Sequence, residues 1–437
     1  MRKRFMPPSS NYYIECGDAI MITNNLFMTR QRPHRISCSV SISRFNSVQS
    51  IHQSFSQAGF SLVELMIAIT ISLIITIALG NLFLNISRTN DEMAKANSQI
   101  ENGRFAIQVL QNDIVHAAFW GTYTPQFDDL SYSSVPSDVP TIVPNPCLAY
   151  STPWSAAYVT SLIGVPVQAY ATTPPAGTGC VTNLATNKKV NTDMLVVRHA
   201  ETCVPGDVNC EADIAGKLYF QASQCELENS IPYRLGTAVF TLHKRDCIGT
   251  GNPQVLPITL GTVAEKRKFI SNIYYIRDYA KTVGDGIATL MMSQFDLAGG
   301  VLAHQAAVPL IEGIEGFSVE LGVDNLSKTG AAVDYTTAVS WADPTNLVTA
   351  TNRGDGVPDT FIKCTDAVPC TAAQLTNVVT VKLYVLARAD KVSPGYTDTK
   401  VYTLGSTTLG PYNDGFKRHV FSTTVRINNV SSRRETP

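Results

Sequence analysis

The feature that most constrains this chain is an apolar stretch near its amino terminus. From Leu65 to Ile86 there are 22 residues without a charged side chain, most of them Ile or Leu. As a helix with a rise of about 1.5 Å per residue, this stretch is roughly 33 Å long, enough to cross the hydrocarbon core of a bilayer. The sequence therefore predicts a helix that spans a membrane at about residues 65–86.

Two other kinds of segment are apolar in this way. A buried helix of a soluble protein is one, but its apolar runs are usually shorter. A secretory signal peptide is the other, because Ala78-Leu79-Gly80 has the small-x-small pattern of a cleavage site. The apolar run continues past Gly80, however, and an acid, Glu64, precedes it where a signal peptide carries bases. Both observations favour a membrane helix.

Charge is unevenly distributed along the chain. Residues 1–59 carry seven basic and two acidic side chains, a net charge of +5, and the remainder of the chain has a net charge of −6. A basic arm before an apolar helix favours a cytoplasmic amino terminus. The total charge nearly cancels, so no direct binding of nucleic acid is expected.

Glu64 stands at the leading edge of the apolar stretch. A carboxylate that enters a membrane helix costs a few kcal/mol and usually has a partner or a function, although a position at the level of the lipid headgroups is the simpler alternative. If the chain is cut before Phe60, the new α-amino group lies about one helical turn from Glu64. Opposite charges attract strongly in such a low-dielectric setting.

The segment Gly59-Phe60-Ser61-Leu62-Val63-Glu64-Leu65 resembles the class III signal of type IV pilins and pseudopilins. The resemblance implies that a prepilin peptidase cuts after Gly59 and methylates the new terminal amine of Phe60, and that Glu64 serves docking into the filament. Leaders in this family are usually short, whereas 59 residues precede Phe60 here and the nearest base is Arg44. A downstream translation start or an unusually long leader accounts for the difference.

The helical pattern continues beyond Ile86. Gly103 interrupts it at a cost of about 1 kcal/mol relative to alanine and marks a candidate bend. An apolar stripe at a spacing of three to four residues predicts one amphipathic face; it consists of Met93, Ala96, Ile100, Ile107, Leu110, Ile114 and Ala117. Polar side chains cover the other face: Arg88, Asp91, Glu92, Lys95, Glu101 and Arg104.

Several segments in succession resemble the PilW family of minor pilins. The resemblance extends from Gly59 to about Asn429 and rests on the order of residues 101–106, 113–114, 119–121, 216–225, 240–247, 311–315, 322–324, 378–386 and 416–425. It implies a pilin-like fold, in which a long helix joins a membrane anchor to a globular head.

Seven segments rich in β-branched and aromatic residues predict strands: Met194–Arg198, Lys217–Gln221, Val239–His243, Phe269–Ile276, Phe317–Gly322, Val378–Leu386 and Val420–Ile427. Residues 121–190 are rich in Pro, Thr and Ser and indicate long loops or an insertion. The expected fold class is therefore α+β, with a long helix packed on an antiparallel sheet. We expect a leader at residues 1–59, a pilin helix at 60–118 and an extracytoplasmic β-rich head at 119–437.

Eight of the ten cysteines follow the apolar stretch, and an even number in an exported region indicates disulfides. Pairing of sequence neighbours is the working hypothesis, with free buried thiols as the alternative. It joins Cys203 to Cys210, Cys225 to Cys247, Cys364 to Cys370, and then Cys147 to Cys180.

No catalytic signature occurs in the sequence, so an enzyme is not expected and no cofactor is required. One Gly-rich segment places oxygen ligands at close spacing on Asn352, Asp355 and Asp359 and is a candidate, weak calcium loop. It lacks a terminal bidentate Glu and contains Arg353, which favours a plain Asp-Gly turn.

The resemblance implies a minor pilin that helps to assemble the type IV pilus and serves twitching motility, adhesion or DNA uptake. Its expected partners are other minor and major pilins, the prepilin peptidase and the assembly platform in the inner membrane, with the head in the periplasm and then at the cell surface. A minor pseudopilin of type II secretion and a membrane-tethered exported adhesin or hydrolase are the alternatives.

Overall fold

The computed structural model describes residues 59, 61–150, 154–171, 173–175, 177, 180, 184, 187–250 and 255–435. The described residues divide into two units, one that ends at Ser72 and one that begins at Leu73. The amino-terminal arm up to residue 58 and Phe60 lie outside the described residues, and so do the predictions that concern them.

The longest element is the helix α1 (Leu62–His116), whose 55 residues confirm the predicted long helix. The large apolar side chains from Leu62 to Ile86 are between 51% and 75% exposed. Among the described residues, α1 is the one helix long and apolar enough to cross a membrane by length and composition. The first half of α1 thus has the surface expected of a helix that is surrounded by lipid or by other apolar helices.

The second half of α1 buries one face, but this face is not centred where the apolar stripe predicts. Its buried residues are Gln99, Gly103, Ala106, Leu110 and Ile114. Ala106, Leu110 and Ile114 share a core with side chains of both sheets of the head. Met93, Ala96 and Ile100 were expected in the stripe but are exposed. The prediction is wrong for these three because Gln99 and Gly103, which do not look like core residues, make the closest contacts instead.

Gly103 is explained by close packing against the head. A β-carbon at this position would lie 2.2 Å from the ring of Phe421, so only glycine lets the helix approach this strand. The helix continues through Gly103 without interruption. Its role is therefore to admit a neighbouring aromatic ring, which the sequence alone did not indicate.

We expect Gly103→Ala to destabilise the head by about 1–3 kcal/mol, because the added methyl group overpacks the contact with Phe421. At an unhindered helical position the same change would stabilise by up to about 1 kcal/mol. Thermal unfolding of the purified chain checks the sign. The double variant Gly103→Ala/Phe421→Leu should recover part of the loss, and a stabilised single variant would contradict the packing argument.

The head consists of antiparallel strands and short helices. The strands are β1 (Val167–Tyr170), β2 (Met194–Ala200), β3 (Tyr219–Ala222), β4 (Tyr233–Gly236), β5 (Ile248–Thr250), β6 (Val255–Leu260), β7 (Lys266–Arg277), β8 (Thr289–Ala298), β9 (Val301–His304), β10 (Val308–Glu312), β11 (Ile314–Val323), β12 (Trp341–Asp343), β13 (Val348–Ala350), β14 (Thr360–Ile362), β15 (Val378–Arg388), β16 (Tyr402–Leu404), β17 (Thr407–Leu409) and β18 (Arg418–Arg426). The helices after α1 are α2 (Ala156–Gly164), α3 (Ala372–Thr376) and α4 (Asn428–Arg434), with 3-10 turns at Gln126–Asp128 and Glu226–Glu228.

Two sheets carry most of these strands. The larger has the order β1-β2-β7-β3-β4, and β8 extends it by pairing with β7, β9 and β10. The smaller has the order β14-β11-β15-β18. The long helix and the antiparallel sheets confirm the predicted α+β, pilin-like fold class.

Six of the seven predicted strands are present, and the seventh is not. Residues Val239–His243 form no strand, because Val239 has a φ of 62° and the chain turns there. A side chain, and not a neighbouring strand, provides a hydrogen-bond partner for the backbone of this segment. The amide oxygen of Gln221 accepts the Leu242 N–H at 3.1 Å. Residues 121–190 were expected to be loops, but they also contain α2 and β1.

Four disulfides brace the loops of the head. They join Cys147 to Cys180, Cys203 to Cys210, Cys225 to Cys247 and Cys364 to Cys370. These are the pairs of the sequence-neighbour hypothesis. The bridges close short loops of the chain, as expected for a domain exposed to an oxidising compartment.

A buried arginine joins β18 to the loop that precedes it. Arg418 is 7% exposed and donates to Glu315 at 2.6 Å, to Asp398 at 2.8 Å and to Asp414 at 2.7 Å. Arg388 also donates to Glu315, at 3.1 Å. Three carboxylates and two guanidinium groups thus form one hydrogen-bonded cluster, which we call the Arg418 cluster.

Candidate functional site

The first turn of α1 contains the acid that the sequence singles out. The Ser61 N–H donates to Oε2 of Glu64 at 3.0 Å, and the Ser61 hydroxyl accepts the Val63 N–H at 3.3 Å. Ser61 therefore caps the helix, and Glu64 closes the reciprocal half of a capping box. The carboxylate is thereby held at the amino-terminal end of the helix, where the helix dipole favours a negative charge.

The geometry explains how an acid is tolerated at the edge of the apolar stretch. One carboxylate oxygen of Glu64 accepts a backbone N–H, which leaves the other oxygen able to accept from a further donor. Gly59 is described, whereas Phe60, the predicted new terminus, lies outside the described residues. The cleavage and methylation assigned to Gly59 and Phe60 stay predictions.

A second polar contact lies where α1 meets the loop after β15. Glu92 accepts hydrogen bonds from Lys95 at 2.8 Å, from Ser393 at 2.7 Å and from Lys417. Lys95 also donates to the Val392 carbonyl at 3.0 Å. The hydrogen bond from Lys417, with those from Lys95 and Ser393, lowers the pKa of Glu92 to about 2. Glu92 and Lys95 belong to the polar face predicted for the helix, and both fasten the helix to the head.

A third contact lies near the end of α1. Asp113 accepts from Nε2 of His199 at 3.0 Å, from Asn272 at 3.1 Å and from the Tyr274 hydroxyl at 2.9 Å. Burial, together with the charge of Asp113, raises the pKa of Tyr274 above its usual range. The three partners belong to β2 and β7, so one carboxylate connects the helix to the centre of the larger sheet. No local sequence pattern indicates this contact.

The side-chain oxygens of the candidate calcium loop accept hydrogen bonds from backbone N–H groups of the loop and of neighbouring segments. The Asn352 side-chain oxygen accepts the Ser340 N–H at 2.9 Å, and Asp355 accepts the Val357 N–H at 3.0 Å. Asp359 accepts two backbone N–H groups, from residues 325 and 326, at 2.8 Å each. The bond of Asp355 to the N–H two residues on is typical of a plain Asp-Gly turn, and the other bonds join the loop to neighbouring segments. The calcium site stays a prediction without a supporting contact.

The described part of the chain contains no group of three or more His, Cys, Asp or Glu side chains that could hold a metal ion. A cavity of about 260 Å³ lies beside the Cys364–Cys370 disulfide and is lined mainly by apolar atoms. The polar contacts of Glu92 and Asp113 join the helix to the head. The arrangement is therefore one that positions a long helix on a rigid domain.

A capped apolar helix with one acid in its first turn, fastened to a disulfide-braced β head, defines a class: the type IV pilin-like proteins. The family model of type IV pilus-assembly protein W matches residues 273–429. The model of the prokaryotic N-terminal methylation motif matches residues 54–80, which include Gly59, Phe60 and Glu64. Together, the two matches support a type IV pilin-like protein of the PilW family. No curated protein and no solved structure matches it.

The methylation-motif match also bears on location. A prepilin signal followed by one apolar helix indicates that the chain is anchored in a membrane. The match to the pilus-assembly family indicates a role in pilus assembly and contacts with the pilus machinery.

Proposed function

We propose that this protein is a minor pilin, which helps to initiate or support assembly of the type IV pilus and is incorporated into the filament or located at its tip. The observation that carries the proposal is the position of Glu64. It is the one charged side chain from Ser61 to Ile86, and its carboxylate is fixed in the first turn of α1.

The proposed maturation begins with a cut between Gly59 and Phe60. The cut creates a positive α-amino group one residue before Ser61, whose N–H already binds Glu64. In the low dielectric of a membrane or filament core, an amine and a carboxylate at this spacing attract strongly, within one chain or between neighbours. The amine offsets the cost of a carboxylate in an apolar environment.

The proposed partners follow from the two halves of α1. The exposed apolar half packs with the helices of other minor and major pilins, and the prepilin peptidase and the inner-membrane assembly platform act on it beforehand. The head lies in the periplasm before assembly and at the cell surface afterwards. Met93, Ile100 and Phe105 extend the exposed apolar surface beyond the membrane segment and supply further contacts for neighbouring subunits. The filament serves twitching motility, adhesion or DNA uptake.

A minor pseudopilin of type II secretion would share the signal and the helix. The match of residues 273–429 to the pilus-assembly family favours the pilus. A membrane-tethered adhesin would need the helix as an anchor alone, so it gives Glu64 no role. The two classes therefore differ in whether Glu64 is required.

Processing is tested on the protein from cells that make pili. Mass spectrometry of sheared pili should find a terminal peptide that begins with N-methylated Phe60. Gly59→Val should block the cut, because it replaces the glycine after which the peptidase cuts. The unprocessed chain should then remain in the membrane and be absent from the pili. Ser61→Ala, which removes the capping hydroxyl but keeps the glycine, serves as the control. An intact arm on chains recovered from pili would contradict the proposed processing.

A further inference from the structure

The edge strand β18 has an unusual property for the edge of a sheet. It is nine residues long and pairs with β15 over its whole length without a register shift. Among the described strands, no other strand pairs with it. One side of its backbone therefore has no neighbouring strand.

The backbone groups that face away from β15 can be identified from the ladder ends. The Ala389 N–H donates to the Lys417 carbonyl at 2.9 Å, and the Ile427 N–H donates to the Val379 carbonyl at 2.8 Å. In an antiparallel ladder, alternate residues direct both backbone groups to the same neighbour. The odd-numbered residues therefore face β15. The outward groups belong to Arg418, Val420, Ser422, Thr424 and Arg426, and none of them hydrogen-bonds to another described residue.

The outermost strands at the other edges of the two large sheets are short or interrupted. The strands β1, β4 and β9 have four residues each and β14 has three. The strand β10 contains Pro309 and a register shift. Short strands, prolines and bulges all prevent edge-to-edge pairing. By contrast, β18 carries no charged side chain from Val420 to Val425 and no proline.

The location of β18 connects this edge to the helix. Phe421 lies against Gly103, and the side chain of Asn429, just after β18, donates to the Ala117 carbonyl at 3.0 Å. The unpaired edge is therefore continuous with the second half of α1, the element whose first half enters the filament in the proposed function. A neighbouring subunit that packs along α1 would also meet β18.

We propose that the outward edge of β18 is a docking site for an extended segment from the head of a different, neighbouring pilin, which adds a strand to the β14-β11-β15-β18 sheet. The inference rests on the proposed pilin function. Main-chain hydrogen bonds to the outward residues supply the affinity in this mode of recognition.

The charges of the edge define the partner segment. Its centre is uncharged, because it lies against Val420 to Val425, where a buried unpaired charge would be costly. One end of the segment carries an acid, because Arg426 is 43% exposed and its surface pair with Glu435 contributes little, so that an acid of the partner can take the place of Glu435. A second copy of this chain supplies no acid at this end, because antiparallel self-pairing centred on Ser422 would place Arg418 of the other copy opposite Arg426.

Two neighbouring prolines separate docking from folding. Ser422→Pro removes an outward N–H that bonds to no described residue, and proline is tolerated on the solvent side of an edge strand. Thr423→Pro removes an N–H that faces β15, so it should unfold the sheet. Ser422→Lys tests the same edge without changing the backbone, and Val283→Lys, at a loop residue that is 75% exposed, is its charge control.

The experiment measures the melting temperature of each purified full chain and its amount in sheared pili. Ser422→Pro and Ser422→Lys should keep a melting temperature within about 2 °C of the unaltered chain, as expected for changes at an exposed edge. Their incorporation into pili should fall at least about tenfold, the factor that corresponds to roughly 1.4 kcal/mol of lost binding. Val283→Lys should be incorporated normally.

The outcomes separate this inference from the proposed function. Normal incorporation of both Ser422 variants overturns the docking edge, and the pilin function stands if Glu64→Ala is lost from the same pili. Absence of the unaltered chain from sheared pili overturns both proposals. As a direct check, benzoylphenylalanine placed at Thr424 should crosslink in cells to a protein that carries a prepilin signal; a crosslink to another copy of this chain would overturn the partner.

Discussion

Replacing Glu64 with alanine should remove this protein from type IV pili while leaving it folded and in the membrane. The carboxylate is the one charge from Ser61 to Ile86, and after processing it would face the new α-amino group of its own chain or of a neighbour. Breaking such a desolvated pair leaves a buried amine without a partner, at a cost of about 2–5 kcal/mol. A loss of this size corresponds to roughly thirtyfold or more in the docked population.

Glu64→Gln is the informative companion, because it separates the charge from the helix cap. Its amide oxygen can still accept the Ser61 N–H, which binds Glu64 at 3.0 Å, but it carries no charge. If docking depends on the charge, Glu64→Gln should be lost from the pili nearly as completely as Glu64→Ala. If docking depends only on the helix cap, Glu64→Gln should be incorporated into pili nearly as well as the unaltered chain.

The measurement is the amount of each variant in sheared pili relative to its amount in the membrane. Leu65→Ala, one residue away, controls for a general disturbance of the helix. The membrane fraction must contain the processed chain in equal amounts, so that a loss of processing is not mistaken for a loss of docking. Pili that contain Glu64→Ala at the normal level would contradict the filament-subunit proposal and favour the tethered exported domain.

Regular patterns in the sequence predicted much of the fold. Strands with strong β-branched patterns, such as Phe317–Gly322 and Val378–Leu386, lie inside β11 and β15. The apolar run and the stripe after it predicted α1 as one long helix. These elements are set by local periodicity, which a single sequence displays directly.

The face that α1 buries was not predictable in the same way. Gln99 is buried because its side-chain amide donates to two backbone carbonyls, of Ala387 at 2.7 Å and of Lys417 at 3.0 Å. Ile100, next to it, is exposed although it is the more apolar residue. Hydrophobicity alone predicts burial of Ile100 rather than Gln99, because it does not include hydrogen-bond partners that lie 288 and 318 residues away in the sequence.

The polar contacts of the site were also invisible to local reasoning. Asp113, Glu92 and Lys95 each bond to a distant strand or loop, and the helical pattern of the sequence does not indicate these partners. The Arg418 cluster draws its acids from three separate segments. Only the folded chain brings such partners together, and no spacing in the sequence identifies them beforehand.

Arg418→Met should be the most damaging single substitution in the head. It would leave the Arg418 cluster with Glu315, Asp398 and Asp414 close together and only Arg388 to balance them. Removing one partner from a buried ionic cluster costs about 3–5 kcal/mol, because the remaining charges stay desolvated. For a head of this size we expect the melting temperature to fall by about 4–7 °C.

Arg426→Met is the matched control, since Arg426 lies on the same strand but pairs with Glu435 at the surface. An exposed pair of this kind contributes about 0–1 kcal/mol. Thermal unfolding of the purified chain, followed by circular dichroism without reductant, compares the two variants. Equal melting temperatures for Arg418→Met and Arg426→Met would contradict the role assigned to the cluster.

The pH dependence gives this prediction a second, independent readout. Hydrogen bonds from Arg418 lower the pKa of Asp414, and for Asp398 the bonds from Arg418 and Tyr402 outweigh burial, so that its pKa is lowered as well. A lowered folded-state pKa contributes stability above the unfolded pKa, about 3.9, and this stability is lost as the pH falls through the folded value. In Arg418→Met the same carboxylates lose their counter-charge and repel one another, and protonation of the carboxylates removes this repulsion. The difference in melting temperature between the unaltered chain and Arg418→Met should therefore be largest at pH 7 and shrink below about pH 4. A difference that grows on acidification would show that Arg418 does not stabilise the carboxylates.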